Sequence, residues 1–80
     1  MRQLDYSEEL ALRIENVVAE GKSGKQEVEG HYAAAAVYRE HSMEGAAVQA
    51  EMKAKGIETH LAFLKTEWRR LKDELDGLPY

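Results

Sequence analysis

Apolar residues recur at helical spacing along nearly the whole chain, and they do so in three blocks of different character. From Tyr6 to Glu20 the apolar positions Tyr6, Leu10, Ile14, Val17 and Val18 share one face, with only Leu12 outside it. From Ser23 to Lys55 the chain is alanine-rich and free of proline, and its wheel carries two apolar stripes instead of one. The first holds Val28, Tyr32, Ala36, Met43, Ala47, Ala50 and Ala54; the second, roughly opposite, holds Ala34, Val37, Tyr38, Val48 and Met52, with His41 among them. From Ile57 onward, Ile57, Leu61, Leu64, Trp68, Leu71, Leu75 and Leu78 step by four and three in strict alternation, a heptad seam with Phe63 off to one side.

Boundary signals turn these blocks into predicted elements. Asp5 followed by Glu8 is a capping box, with Ser7 as the alternative cap, and Glu8 and Glu9 sit where the helix dipole favours acids. The residues before it, Met1 to Leu4, read as a lead-in. Gly21-Lys22-Ser23-Gly24-Lys25 reads as a break, with Ser23 and Gln26 forming a second capping box. Gly56 is placed to take the left-handed position of a Schellman motif, with Ile57 folding back on Met52 and Thr59 capping a third helix. The expectation is therefore an all-α single domain over residues 1–80, with helices at about 6–20, 24–55 and 58–76. Gly45 is an alternative turning point. A continuous rod is the rival, because the seam extends backwards from Ile57 through Ala54, Ala50, Ala47, Met43 and Ala36 to Ala33, and only Glu40 interrupts it. The preferred architecture is an antiparallel helical hairpin or three-helix bundle, in which the leucines and Trp68 of the last helix fill the space over the central alanines.

Size changes what this pattern means. Eighty residues make a small core, and chains of this length gain stability from disulfides, metals or association. There is no cysteine, so disulfides and thiolate metal sites are excluded and association is the remedy that the surplus apolar stripe supports. Assembly into a larger bundle is therefore expected, most simply as a two-fold homodimer. No apolar run approaches a signal peptide or a membrane span, so the expected compartment is the cytoplasm. A net charge of −4 disfavours a general nucleic-acid binder.

Candidate chemistry is sparse. The GKSGK stretch lacks the upstream glycine and strand of a phosphate-binding loop. None of His31, His41 and His60 has a glutamate three residues before it, the spacing of helical carboxylate–histidine metal sites, so neither metal nor cofactor is expected. Ser7, Ser23, Ser42 and Thr59 have capping or surface roles, and no nucleophile stands beside a base, so no enzymatic activity is expected. Lys65, Arg69 and Lys72 form a basic stripe beside Arg70. The spacings Arg69–Asp73, Arg70–Glu74 and Lys72–Asp76 suit neutralising pairs one turn on.

The functional expectation is a non-enzymatic protein-interaction module, a small oligomeric adaptor, regulator or inhibitor whose partners are itself and another protein. Its expected interface is Val37, Tyr38, His41, Val48, Met52 and Phe63. The alternative is a helical oligomer that binds a small ligand or metal between helices or subunits, with Lys25, Tyr38, Arg39 and His41 as the contacts to the ligand or anion.

Overall fold

The structure, a computed structural model, describes residues 5–78. The expected lead-in Met1–Leu4 lies outside the described residues, as do Pro79 and Tyr80. Two long helices account for nearly all of the rest: α1, Tyr6–Glu40, and α2, Glu44–Asp76. They run antiparallel as an all-α hairpin measuring 60 × 26 × 12 Å, a single helical layer with two broad faces.

α1 starts where the capping chemistry places it. Asp5 has extended backbone and its carboxylate accepts from the Glu8 amide at 2.8 Å, while the Ser7 hydroxyl donates to the same oxygen at 2.8 Å. Asp5 is the cap and Ser7 supports it. These bonds to the charged form, the Glu8 amide first, hold the Asp5 carboxyl below its ordinary range.

The expected division into three helices is not what the chain adopts. α1 passes through Gly21–Lys25 without a break, and Ser23 lies inside the helix instead of capping one. The reason is packing. The buried or half-buried side of α1 runs Leu10, Ile14, Val17, Gly21, Gly24, Val28, His31 and Ala35, in unbroken alternation of four and three. Both glycines therefore fall on the seam that faces α2. A Cβ on Gly24 would lie 2.8 Å from Leu61 Cδ2, so the missing side chain is the hole that Leu61 fills. That contact offsets the cost of glycine in a helix, about 1 kcal/mol.

Gly56 likewise lies inside α2, and Thr59 bonds back to the Lys55 carbonyl at 3.1 Å within the helix instead of starting a new one. The α2 seam runs from Ala47 through Ala50, Ala54, Ile57, Leu61, Leu64, Trp68 and Leu71 to Leu75 and Leu78. The rod reading thus follows this seam correctly back to Ala47, but the chain does not continue as one helix. It reverses at 41–43, next to the Glu40 that interrupts the seam.

The turn is a Schellman motif, at Ser42 and not at Gly56 or Gly45. The Met43 amide donates to the Tyr38 carbonyl at 2.8 Å and the Ser42 amide to the Arg39 carbonyl at 3.0 Å, the paired bonds of that motif. Ser42 occupies the left-handed position with φ of 60°, where glycine is the usual occupant. The position is set by the two seams: a reversal here brings Ala35 against Ala47 and Ala50, which form one buried cluster. A reversal at Gly56 would leave the glycine-bearing part of the α1 seam without Leu61.

The core is small. The buried residues among those described are Leu10, Ala35, Ala47, Ala50, Ala54, Leu64 and Leu71, and four of these are alanine. Tyr6, Leu12, Val18, Tyr32, Val37, Tyr38, Met43, Val48, Met52 and Phe63 stay exposed. The hairpin thus leaves more large apolar side chains outside than it buries.

Candidate interaction surfaces

The two broad faces of the hairpin differ in chemistry. On the first, side chains reach across from α1 to α2 near the turn: Arg39 Nη2 lies 2.6 Å from Glu51 Oε1 and 3.3 Å from Glu44 Oε1, with a second bond from Nη1 to Glu51 at 2.8 Å. The hydrogen bonds with Glu51 and then Glu44 push the Arg39 guanidinium further toward its charged form, and the Arg39 bond holds Glu51 below its ordinary range. Farther along the same face, the Tyr32 hydroxyl donates to Glu58, which raises the Tyr32 phenol above its ordinary value. Toward the open end lies a groove of about 200 Å³, lined by Val17, Val18, Gly21, Leu61, Leu64, Lys65 and Trp68.

The second face carries two adjoining grooves. A groove of about 570 Å³ is lined by Glu20, Ser23, Gly24, Glu27, Lys53, Gly56, Ile57 and His60. Lys53 also edges a neighbouring groove of about 260 Å³ lined by His31, Ala34, Tyr38, Ala46, Gln49 and Ala50. Across the first of these His60 Nε2 and Glu20 Oε1 are 3.0 Å apart, and the His60 ring stacks on Phe63 with centroids 6.3 Å apart. Gly30 and Gly56 sit beside these grooves, and a Cβ on either would meet nothing within 4 Å. The hairpin itself does not require glycine at those two positions.

The expected interface residues are all exposed, but the turn divides them. Tyr38 edges the second face, Phe63 stacks on a histidine of that face, and Val37 lies one turn beyond Ala34 on the same side. Val48 falls between Glu44 and Glu51 on the first face, and Met52, 66% exposed, lies on the outer side of α2. His41 caps α1 inside the turn, its amide donating to the Val37 and Tyr38 carbonyls. The apolar stripe read across residues 34–52 is therefore two separate patches, because the helix that would carry it reverses in its middle.

The four expected ligand contacts are not gathered into one site. Lys25 stands sixteen residues before His41 on α1, roughly 24 Å along the helix. Arg39 is committed to two carboxylates, and Tyr38 faces the opposite broad face. Among the described residues no cluster of three or more histidines and acids is arranged to hold a metal, and no helix is long and apolar enough to cross a membrane.

The basic stripe of α2 also departs from expectation. Arg70 pairs with Glu67 and with Glu74, the latter at 3.6 Å, and its bond lowers the Glu67 carboxyl. Arg69 and Lys72 do not pair with Asp73 and Asp76; Lys72 Nζ sits 5.1 Å over the Trp68 ring instead. Among the described residues Arg69 and Lys65 make no ion pair, and neither do Lys22 and Lys25 on α1. Sequence reasoning missed the apolar groove between these cations because it placed a loop at Gly21. The available signal was the four-three spacing that links Val17 to Val28 through the two glycines.

No protein-family model matches the chain, and no curated protein or solved structure is significantly similar to it. The fold is an extended antiparallel two-helix hairpin with exposed hydrophobic residues.

Proposed function

We propose that this chain is a non-enzymatic protein-interaction module that works as a homodimer, two hairpins stacked through their second faces into a four-helix bundle. The observation that carries the reading is the imbalance, among the described residues, between a core dominated by four alanines and ten large apolar side chains left in water. A single 12 Å layer cannot cover both faces of its own helices, so a second layer is the physical remedy. The broad face measures 60 by 26 Å, larger than the roughly 800 Å² per partner of a standard stable interface.

The second face suits a copy of itself. On it α1 contributes the acids Glu20 and Glu27, and α2 contributes Lys53 and His60, all four lining one groove. A two-fold axis along the hairpin sets the acids of α1 against Lys53 and His60 of the partner subunit, with Glu27 nearest that histidine, and the reverse pairing arises by symmetry. The same operation brings Gly30 near Gly56 of the partner subunit, where the absent side chains permit close backbone approach. Val37 supplies apolar contact near the turn and Phe63 supplies it near the middle of α2. The module would act as an adaptor, regulator or inhibitor of another protein.

Size-exclusion chromatography with light scattering tests the assembly. The expected mass is about twice the 9.1 kDa of the chain at tens of micromolar. Charge introduced by Phe63→Glu with Val37→Glu should return it to a monomer, whereas Met52→Glu should not. A strict monomer across that range overturns the reading.

A further inference from the structure

The first face carries an apolar groove bordered by cations that the hairpin does not use. Val17, Val18, Gly21, Leu61, Leu64 and Trp68 form its walls, and it exists because Gly21 offers no side chain opposite Leu64 and Trp68. On α1, Val18 is succeeded one and two turns later by Lys22 and Lys25. On α2, Lys65 lines the groove and Arg69 and Lys72 continue its row, with Lys72 held over the Trp68 ring. Lys22, Lys25, Lys65 and Arg69 have no ion pair among the described residues, although acids outnumber bases in the chain by fifteen to eleven.

We propose that this groove receives the apolar side chains of an acidic amphipathic helix from another protein, whose carboxylates pair with Lys22, Lys25, Lys65 and Arg69. The walls on α2 extend from Leu61 to Trp68, roughly 10 Å along the axis. That is two helical turns, the length over which a docked helix presents anchors at i, i+3 or i+4, and i+7. The cation rows lie on both sides of that track, so a helix with an apolar stripe flanked by acids matches the site in shape and charge together.

The surroundings disfavour other occupants. Glu15, Glu29 and Glu58 stand near the cations on the same face, so a long duplex or a flat anionic membrane would meet repulsion just beyond the patch. A second copy stacked on this face by a two-fold axis along the hairpin would set the lysines of α1 over the lysine and arginine row of α2. The self-association proposed above uses the opposite face, and the two readings can fail independently.

The test uses the full chain with a synthetic amphipathic peptide of about 18 residues, leucine at the anchor positions and glutamate elsewhere. Trp68 is the only tryptophan, so its emission reports the groove directly, and amide shifts map the contact. The expected result is a blue shift of Trp68, with amide shifts concentrated at Val18, Gly21, Leu64 and Lys65. Binding should weaken as salt rises and fall at least about tenfold in the Lys22→Glu, Lys65→Glu variant, since like charges then face each other. Gly21→Leu fills the groove while leaving every charge in place, and it should abolish binding in a chain whose helix content is retained. The proposal is overturned by an unchanged groove at millimolar peptide, or by equal response to a peptide with lysine in place of glutamate. It is also overturned by binding that survives both variants, or by phosphatidylglycerol vesicles or a DNA duplex producing the groove response when the peptide does not.

Discussion

The half of the hairpin near the turn and the half near its open end are both built around small residues, yet the small residues do opposite things. Near the turn, alanine faces alanine: Ala35, Ala47 and Ala50 form one cluster, with Ala54 fully buried just beyond. Nothing large intervenes there, and Arg39 ties the two helices together across the outside. Toward the open end, glycine faces leucine and tryptophan, so Leu61 occupies the hole at Gly24 while the space at Gly21 stays open as a groove. Small against small draws helices together; small against large holds a knob. The lesson is that a glycine inside a helix must be read against the residue opposite it, not only against its own propensity.

The sharpest way to break this contrast is to exchange the two kinds of packing. Leu71 is 1% exposed in the leucine half, and Leu71→Ala should cost about 2–5 kcal/mol in thermal or denaturant unfolding. In the alanine half the reverse change is the damaging one. Ala47 is fully buried, and Ala47→Leu should cost about 1–3 kcal/mol by forcing the helices apart.

A finer comparison lies between two glycines one turn apart. Gly21→Ala enters open space and should raise stability by about 1 kcal/mol through helix propensity. Gly24→Ala gains the same propensity but sets a methyl 2.8 Å from Leu61 Cδ2, so it should gain less or lose outright. Equal gains at both sites would show that Gly24 is not a packing hole. At the turn, Ser42→Gly should stabilise by about 1 kcal/mol, because φ of 60° is strained for serine and free for glycine.

The smallest expected effect is on pH dependence. Glu51 and Glu67 are held below their ordinary 4.5 by Arg39 and Arg70, and Asp5 is held below its 3.8 by the Glu8 amide. A carboxyl depressed in the folded state contributes stability above its unfolded value and loses it as pH falls through the folded one. The melting temperature should therefore hold near neutrality and decline below about pH 4.5, less steeply in Arg39→Gln. Tyr32 has the opposite sign: its raised phenol contributes below pH 10 and ceases to do so at more alkaline pH.

Much of the fold was legible in the chain. The start at Asp5 and the seam from Ile57 to Leu78 could be read from capping and periodicity, and its extension to Ala47 was visible as well. The misleading signals are Gly21, Gly24 and Gly56, which read as breakers although all three sit within uninterrupted helices. The real reversal was marked more faintly, by Glu40 falling out of the seam, and it uses serine where glycine is expected. That misplacement also joined Val37 and Tyr38 to Val48 and Met52 in one stripe. The true division into two faces needs the turn in its actual place.

In the proposed dimer the face bearing Gly30 and Gly56 is covered by a second hairpin. The most direct test of that dimer is the monomer–dimer equilibrium of Gly30→Leu with Gly56→Leu, measured by analytical ultracentrifugation beside its unfolding curve. Both positions open onto empty space in the single hairpin, so the helices themselves should become more stable. The dimer should nonetheless dissociate at least about tenfold more readily, because the added side chains hold the two layers apart. A wild-type chain that sediments as a monomer, or a double variant that dimerises as tightly as the wild type, would contradict it.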